Sequence, residues 1–217
     1  MKRSIFSTVC VAIIALAATA CAPRYADFFP YYDNGTKKPS FTMLPVYNET
    51  TNPLVSNFPV ELSKAVRNRL KRTGKTFSPP VSQMMKELGS MTVKELSNSS
   101  DLKVFSRFKG TDFVVLIETV ECNVVPYTRG TIKPIYVADI DHTTAKVLML
   151  SMRLEIVNMK GQEPKVARME LIKSNHMVSQ TTLDRAEAGD PAALEMIRSR
   201  LAFDLAKKIE ETVCVKK

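Results

Sequence analysis

Three stretches, 112–125, 146–158 and 165–178, limit what this chain can fold into, because each reads as a long strand, the last two and the second half of the first alternating at a period of two. The first reads Phe-Val-Val-Leu-Ile-Glu-Thr-Val-Glu-Cys-Asn-Val-Val after Asp112. Its first half is apolar on both faces, as a strand buried in the middle of a sheet must be. The second sends Leu148, Leu150, Met152, Leu154 and Ile156 one way and Ser151, Arg153 and Glu155 the other. Such alternation suits a half-buried strand and cannot lie on one side of a helix. Asn158-Met159-Lys160-Gly161 is a hairpin turn that joins the second run to the third.

The remaining elements read as helices around that sheet. Residues 41–47 form a further strand, with Leu44 and Val46 in alternation. A helix spans 58–73: Ser56 or Asn57 caps it, and Pro59 is tolerated in the first turn. Leu62, Ala65, Val66 and Leu70 form its buried stripe, and Gly74 closes it. Short helices are expected at 82–88, after the capping box Thr92-x-x-Glu95, and at 101–108. Asp190-Pro191 opens the last helix, whose stripe runs Leu194, Ile197, Leu201, Leu205, Ile209, Val213. The expectation is an α/β (α+β) fold. It has a mixed sheet of about five strands, two early crossover helices on one face and a long C-terminal helix over what remains.

The first residues carry an address. Lys2 and Arg3 precede an uncharged run from Ser4 to Ala20, which ends in small residues directly before Cys21. A basic start, an apolar middle and a small-residue cleavage region make a secretory signal peptide. The apolar part falls short of the ~20 residues a membrane span needs. The small-small-Cys ending resembles a bacterial lipobox, so Cys21 is expected to be lipidated. Three parts follow: a signal peptide at 1–20, a lipidated tether at 21–40 and one α/β domain at 41–217. The tether is rich in proline and holds Tyr25, Phe28, Phe29, Tyr31 and Tyr32. Such aromatics suit a membrane interface or a partner's groove, or pack back on their own domain.

Charge and cysteine content narrow the partners. The chain has 31 basic and 22 acidic residues, a net charge of +9. In an exported protein that excess points to lipopolysaccharide, anionic phospholipid or an acidic protein partner rather than to nucleic acid. Once Cys10 leaves with the signal peptide and Cys21 is acylated, Cys122 and Cys214 remain, a disulfide candidate or two buried thiols. Catalytic signatures are scarce. There is no G-x-S-x-G, H-E-x-x-H or Gly-rich phosphate loop, and the only histidines are His142 and His176. Asp139-x-Asp141-His142 is the nearest approach to a metal cluster and reads as a solvated loop. Glu118 and Glu121, three apart on a strand, are expected on opposite faces, which excludes joint acid–base work. No catalytic residue, metal or cofactor is assigned.

Leu44-Pro45-x-x-Asn48-x-Thr50, the helix with Leu62-x-x-Ala65-Val66-x-x-x-Leu70-x-x-x-Gly74, and Gly110-x-Asp112-Phe113-Val114-Val115 resemble the periplasmic domain of the curli-secretion and penicillin-binding-protein-activator lipoproteins. The same pattern is similar to the N-terminal domain of the Tol-system propeller protein. The helix from Leu62 to Leu70, with the 146–156 strand and the closing helix, also resembles the lipopolysaccharide-assembly lipoprotein that plugs an outer-membrane barrel. These resemblances imply a non-enzymatic accessory factor in cell-envelope assembly. Ala22, rather than Asp, after the lipidated Cys implies outer-membrane sorting, with the domain facing the periplasm.

The expected partner surface is the first helix. Lys64, Arg67 and Lys71 are spaced three and four apart and should share an exposed stripe, which Arg69 and Arg72 widen. It is either a solvated face or a dock for an anionic envelope protein or glycolipid.

Overall fold

The computed structural model describes residues 29–55, 57–128 and 145–214. Cys21, Tyr25, Phe28 and the Asp139–His142 loop lie outside them. Five strands form one mixed sheet: β1 (Phe41–Met43), β2 (Tyr47–Asn48), β3 (Phe113–Pro126), β4 (Lys146–Asn158) and β5 (Lys165–Val178). The order is β1-β3-β4-β5, with β2 also paired to β3. β1 and β2 run parallel to β3, while β4 and β5 follow antiparallel. The helices are α1 (Phe58–Thr73), α2 (Val81–Leu88), α3 (Val93–Ser97), α4 (Gln180–Glu187) and α5 (Glu195–Val213).

The helices divide differently from the expectation. α1 and α5 share one face of the sheet, where Leu62, Val66 and Leu70 meet Leu201, Leu205 and Ile209 over Val115, Ile117, Leu150 and Leu154. α2, α3 and a 3-10 turn at Leu102–Arg107 cover the other face, where Met84, Leu88, Leu96, Phe105 and Phe108 lie over Val114, Leu116 and Val157. The doubly apolar start of β3 therefore finds cover on both sides. The chain changes face after α1. Gly74, at φ 62°, ends the helix, and Phe77 returns to bridge Ser40 at the sheet edge. Pro79 and Pro80 then turn it away, since proline has no N–H with which to continue a ladder.

A bulge in β3 overturns a second expectation. Glu118 is opposite Arg153 and Glu121 is opposite Ser151, with a register shift between Thr119 and Glu121. The extra residue, Val120, reverses the alternation, so both glutamates lie on one face. The core shows the same reversal, passing from Val115 and Ile117 to Cys122.

The segment expected as a tether belongs in part to the domain. Tyr31 pairs with Lys37 around a turn in which Gly35 has φ 77°. Lys38 and Ser40 are buried, and the Tyr32 hydroxyl donates to the Lys75 carbonyl at 2.6 Å.

Candidate functional site

α1 forms where its apolar spacing placed it and ends at Gly74 as expected, but its N-terminal cap and its charged face differ from the expectation. Asn57 is the N-cap residue, and its side chain makes no capping hydrogen bond. Ser63 instead anchors this region: its hydroxyl donates to the Pro59 carbonyl at 2.7 Å and accepts from the Val46 N–H at 2.9 Å.

The cations do not form one exposed stripe: helical spacing still puts Lys64, Arg67 and Lys71 on one side of α1, but Arg67 is half-buried and Arg69 lies toward α5. Lys64 is exposed and pairs with Glu61 at 2.8 Å. Arg69 stacks on the ring of Phe203 in α5, 4.1 Å from its centroid. Arg67 is half-buried and donates from Nη2 to the Met43 carbonyl at 2.6 Å. The reason is an open sheet edge. Phe41 donates its N–H to Phe77, whereas Met43, two residues on along the same edge, faces α1 because the chain has already turned away at Pro79. Burial pulls the Arg67 guanidinium below its usual pKa, though such a group stays charged. Arg72 remains exposed in the last turn.

Arg67 and Lys71 line a cavity of about 390 Å³ between β1, α1 and the segment that leads into α2. Phe41, Met43, Phe77, Pro79, Pro80 and Met84 supply apolar lining, and Thr42 and Thr76 also border it. Both threonines are buried, and among the described residues neither hydroxyl has a hydrogen-bond partner. Buried hydroxyls are usually bonded, so two orphans beside one cavity stand out. The volume is in the range of small-ligand sites. An apolar slot with a guanidinium and an ammonium suits a molecule or segment with an apolar body and an anionic end.

The other candidates do not converge here. Cys122 and Cys214 are both free, which corrects the disulfide expectation. Cys122 is opposite Leu150, whereas Cys214 is near enough to Lys75 and Lys160 for their charges to act on it. Leu150 and Asn158 are eight residues apart on β4, roughly 26 Å at strand rise. A disulfide needs Cα atoms within about 7 Å. Burial pushes the Cys122 thiol up to about 11, so it stays protonated at neutral pH. Of the aromatics, Tyr32 packs back on the domain, while Phe29 and Tyr31 are more than half exposed, at 55% and 54%.

On the opposite face of the sheet, Glu118 is 3% exposed, pairs with Arg153 and accepts from Ser97 at 3.2 Å. Glu121 accepts from Ser151 at 3.0 Å. Burial raises the Glu155 pKa, with Arg153 opposing and Glu118 reinforcing the rise. Sequence reasoning missed this ionic cluster, because alternation along one strand does not give the register that sets Glu118 opposite Arg153; the bulge then adds Glu121 to the same face. It also missed the cavity, although Pro79-Pro80 beside a strand edge was a usable signal.

Residues 27–217 match a family of unknown function, DUF7499. The chain belongs to that family. No curated protein matches the sequence. Among solved structures, the DUF7499 chain resembles the hypothetical protein CT253 from Chlamydia trachomatis at 16% identity and a TM-score of 0.53, covering 82% of this chain and 99% of that one. Lipoprotein GNA1162 from Neisseria meningitidis follows at 14% identity and a TM-score of 0.43, with 78% and 99% covered. Rare lipoprotein B from Shewanella oneidensis is 10% identical with a TM-score of 0.36, covering 80% and 95%. At 16% identity the likeness to the first of these is one of fold alone. Among the described residues no helix is long and apolar enough to cross a membrane.

Proposed function

We propose that this DUF7499 protein is a lipid-anchored outer-membrane lipoprotein, a non-enzymatic accessory factor that binds an envelope partner during cell-envelope assembly. The anchor rests on the small residues before Cys21. The binding activity rests on one observation, the apolar cavity that Arg67 and Lys71 flank. Kinship with the curli-secretion and penicillin-binding-protein-activator lipoproteins belongs to this proposal. A second reading, in which an anionic glycolipid occupies the slot during lipopolysaccharide assembly, draws support from the union of cations and apolar walls. Both place the domain on the periplasmic side, with no nucleic acid, metal or cofactor involved.

Two experiments test the proposal. Cys21→Ala should abolish palmitate labelling and leave an unprocessed chain; unchanged labelling would sink the anchor. A photo-crosslinking residue at Val81, which is half exposed at the cavity wall, should capture an envelope protein in living cells, and the adduct should weaken when Arg67→Met and Lys71→Met are combined. Capture of lipopolysaccharide would select the glycolipid reading. Absence of any adduct would reject the slot as a binding site.

A further inference from the structure

The two ends of the sheet carry opposite charge. At one end lie the start of β3, the end of β4 and the start of β5, since Phe113 and Lys165 both face Asn158. The C-terminal end of α1 joins them, because Cys214, at the end of α5, is in electrostatic reach of both Lys75 and Lys160. Exposed cations ring this end: Lys37, Arg72, Lys75, Lys109, Lys160 and Lys165. Among the described residues the exposed acids near them are Asp33, Glu163 and Glu211, and Glu210 engages Lys75 at 3.3 Å. At the far end, around Lys146 and the starts of α1 and α5, the balance inverts. Among the described residues Glu49, Glu121, Asp184, Glu187 and Glu195 are exposed there; of the cations, Arg185 is engaged by Asp190 at 2.5 Å and Lys64 by Glu61 at 2.8 Å, which leaves exposed Arg200 and the partly buried Lys146 and Arg198 against them. β4 alone separates the ends by roughly 40 Å at strand rise.

The chain leaves the described residues at the basic end. Tyr32 donates to Lys75 there, and Phe29 and Tyr31 beside it expose more than half of their surface. From Cys21 to Phe29 is eight residues, at most roughly 28 Å of extended chain. A leash of that length keeps the basic end close to whatever holds Cys21. It is also too short to bring the acidic end round to the same surface.

We infer that the basic end of the domain, with Phe29 and Tyr31, rests on the anionic phospholipid surface to which Cys21 is anchored. The inference depends on the lipoprotein reading and adds an orientation to it. Cations gain from an anionic surface only within about a Debye length, ~8 Å at physiological salt, a range the short leash enforces. Tyr31, an aromatic with a polar edge, favours the interface itself, and Phe29 adds apolar surface beside it. The acidic end, with the 146–126 edge of the sheet, then points into the periplasm.

The chain has no tryptophan, so one can be introduced as a sole reporter. Full-length lipidated protein carrying Tyr31→Trp, or Phe29→Trp as the second position, would be reconstituted in phosphatidylcholine vesicles with and without a quarter phosphatidylglycerol. Brominated acyl chains should quench its emission several-fold more in the anionic vesicles than in neutral ones. Thr51→Trp, exposed at the acidic end, should stay unquenched in both. Lys37→Glu, Lys109→Glu and Lys165→Glu together should remove the difference while the protein still floats with the vesicles. Equal quenching at Tyr31→Trp and Thr51→Trp, or none at either while the protein floats, would overturn the orientation and spare the anchor. Protein that does not float at all would overturn both.

Discussion

Glu155 and His176 are buried on opposite faces of the sheet, and they make stability depend on pH in opposite directions. Burial is the main cause of the raised Glu155 pKa. A carboxyl whose folded pKa lies above its unfolded value favours folding when protonated and loses that contribution as pH rises through the folded pKa. Glu155→Gln should therefore raise the melting temperature at neutral pH by ~1–3 °C, with the gain fading as pH falls to the ordinary value of 4.5 and below. For His176 the pKa is lowered, first by burial and then by Arg200, with Asp204 opposing. The folded state favours the neutral ring, so its contribution is complete above 6.5 and is lost as pH falls from there through the depressed folded pKa. A His176→Asn variant should show a flatter fall in melting temperature through that window. An unchanged slope would mean that other groups dominate it.

At the scale of the element, α1 carries two tasks that compete for the same residues. Its inner stripe is core, while Ser63 and Arg67 hold the edge of the sheet through backbone groups that no strand partner reaches. Ser63→Ala would leave the buried Val46 N–H without its acceptor, at a cost of about 1–3 kcal/mol. Urea unfolding would measure that loss, and a change below ~0.5 kcal/mol would mean that the loop re-forms the bond elsewhere. Arg67→Met should cost less, because an apolar side chain of similar length can still cover the slot; its larger effect should fall on binding. The basic stripe dispersed for a physical reason. A guanidinium beside an open strand edge gains more from a carbonyl than from water, and one beside an exposed ring gains from stacking.

At the scale of the molecule, the positions of the cysteines and the separation of charge follow from topology. Unfolded without reductant, both Cys122 and Cys214 should alkylate fully. In the native protein Cys214, which is partly exposed, should react well before Cys122, which is buried and whose pKa is near 11. Identical migration with and without reductant checks the same point on a gel, and a faster non-reduced band would restore the disulfide. The two long helices run side by side from the acidic end to the basic end, and α1, whose cations gather toward its C-terminal half, carries charge to the basic end, while α5 is nearly balanced along its length.

Periodicity alone determined the sheet and its two covering helices. Long alternating runs can bury only one side at a time, and the stripes at 62–70 and 194–213 had no other use for their apolar residues. The same local chemistry placed Gly74 at the end of α1 and the Thr92–Glu95 capping box, in which Thr92 accepts from the Glu95 N–H at 3.2 Å. What periodicity could not supply was anything that depends on a single residue's offset or on the return of a distant segment. The bulge at Val120 placed Glu118 and Glu121 on one face. The turn at Pro79-Pro80 opened the edge that draws in Arg67 and shapes the cavity. The pairing of Tyr31 with Lys37 made half of the expected tether a wall of the domain. Each is decided by which backbone groups find partners across the fold, information that only the tertiary structure holds.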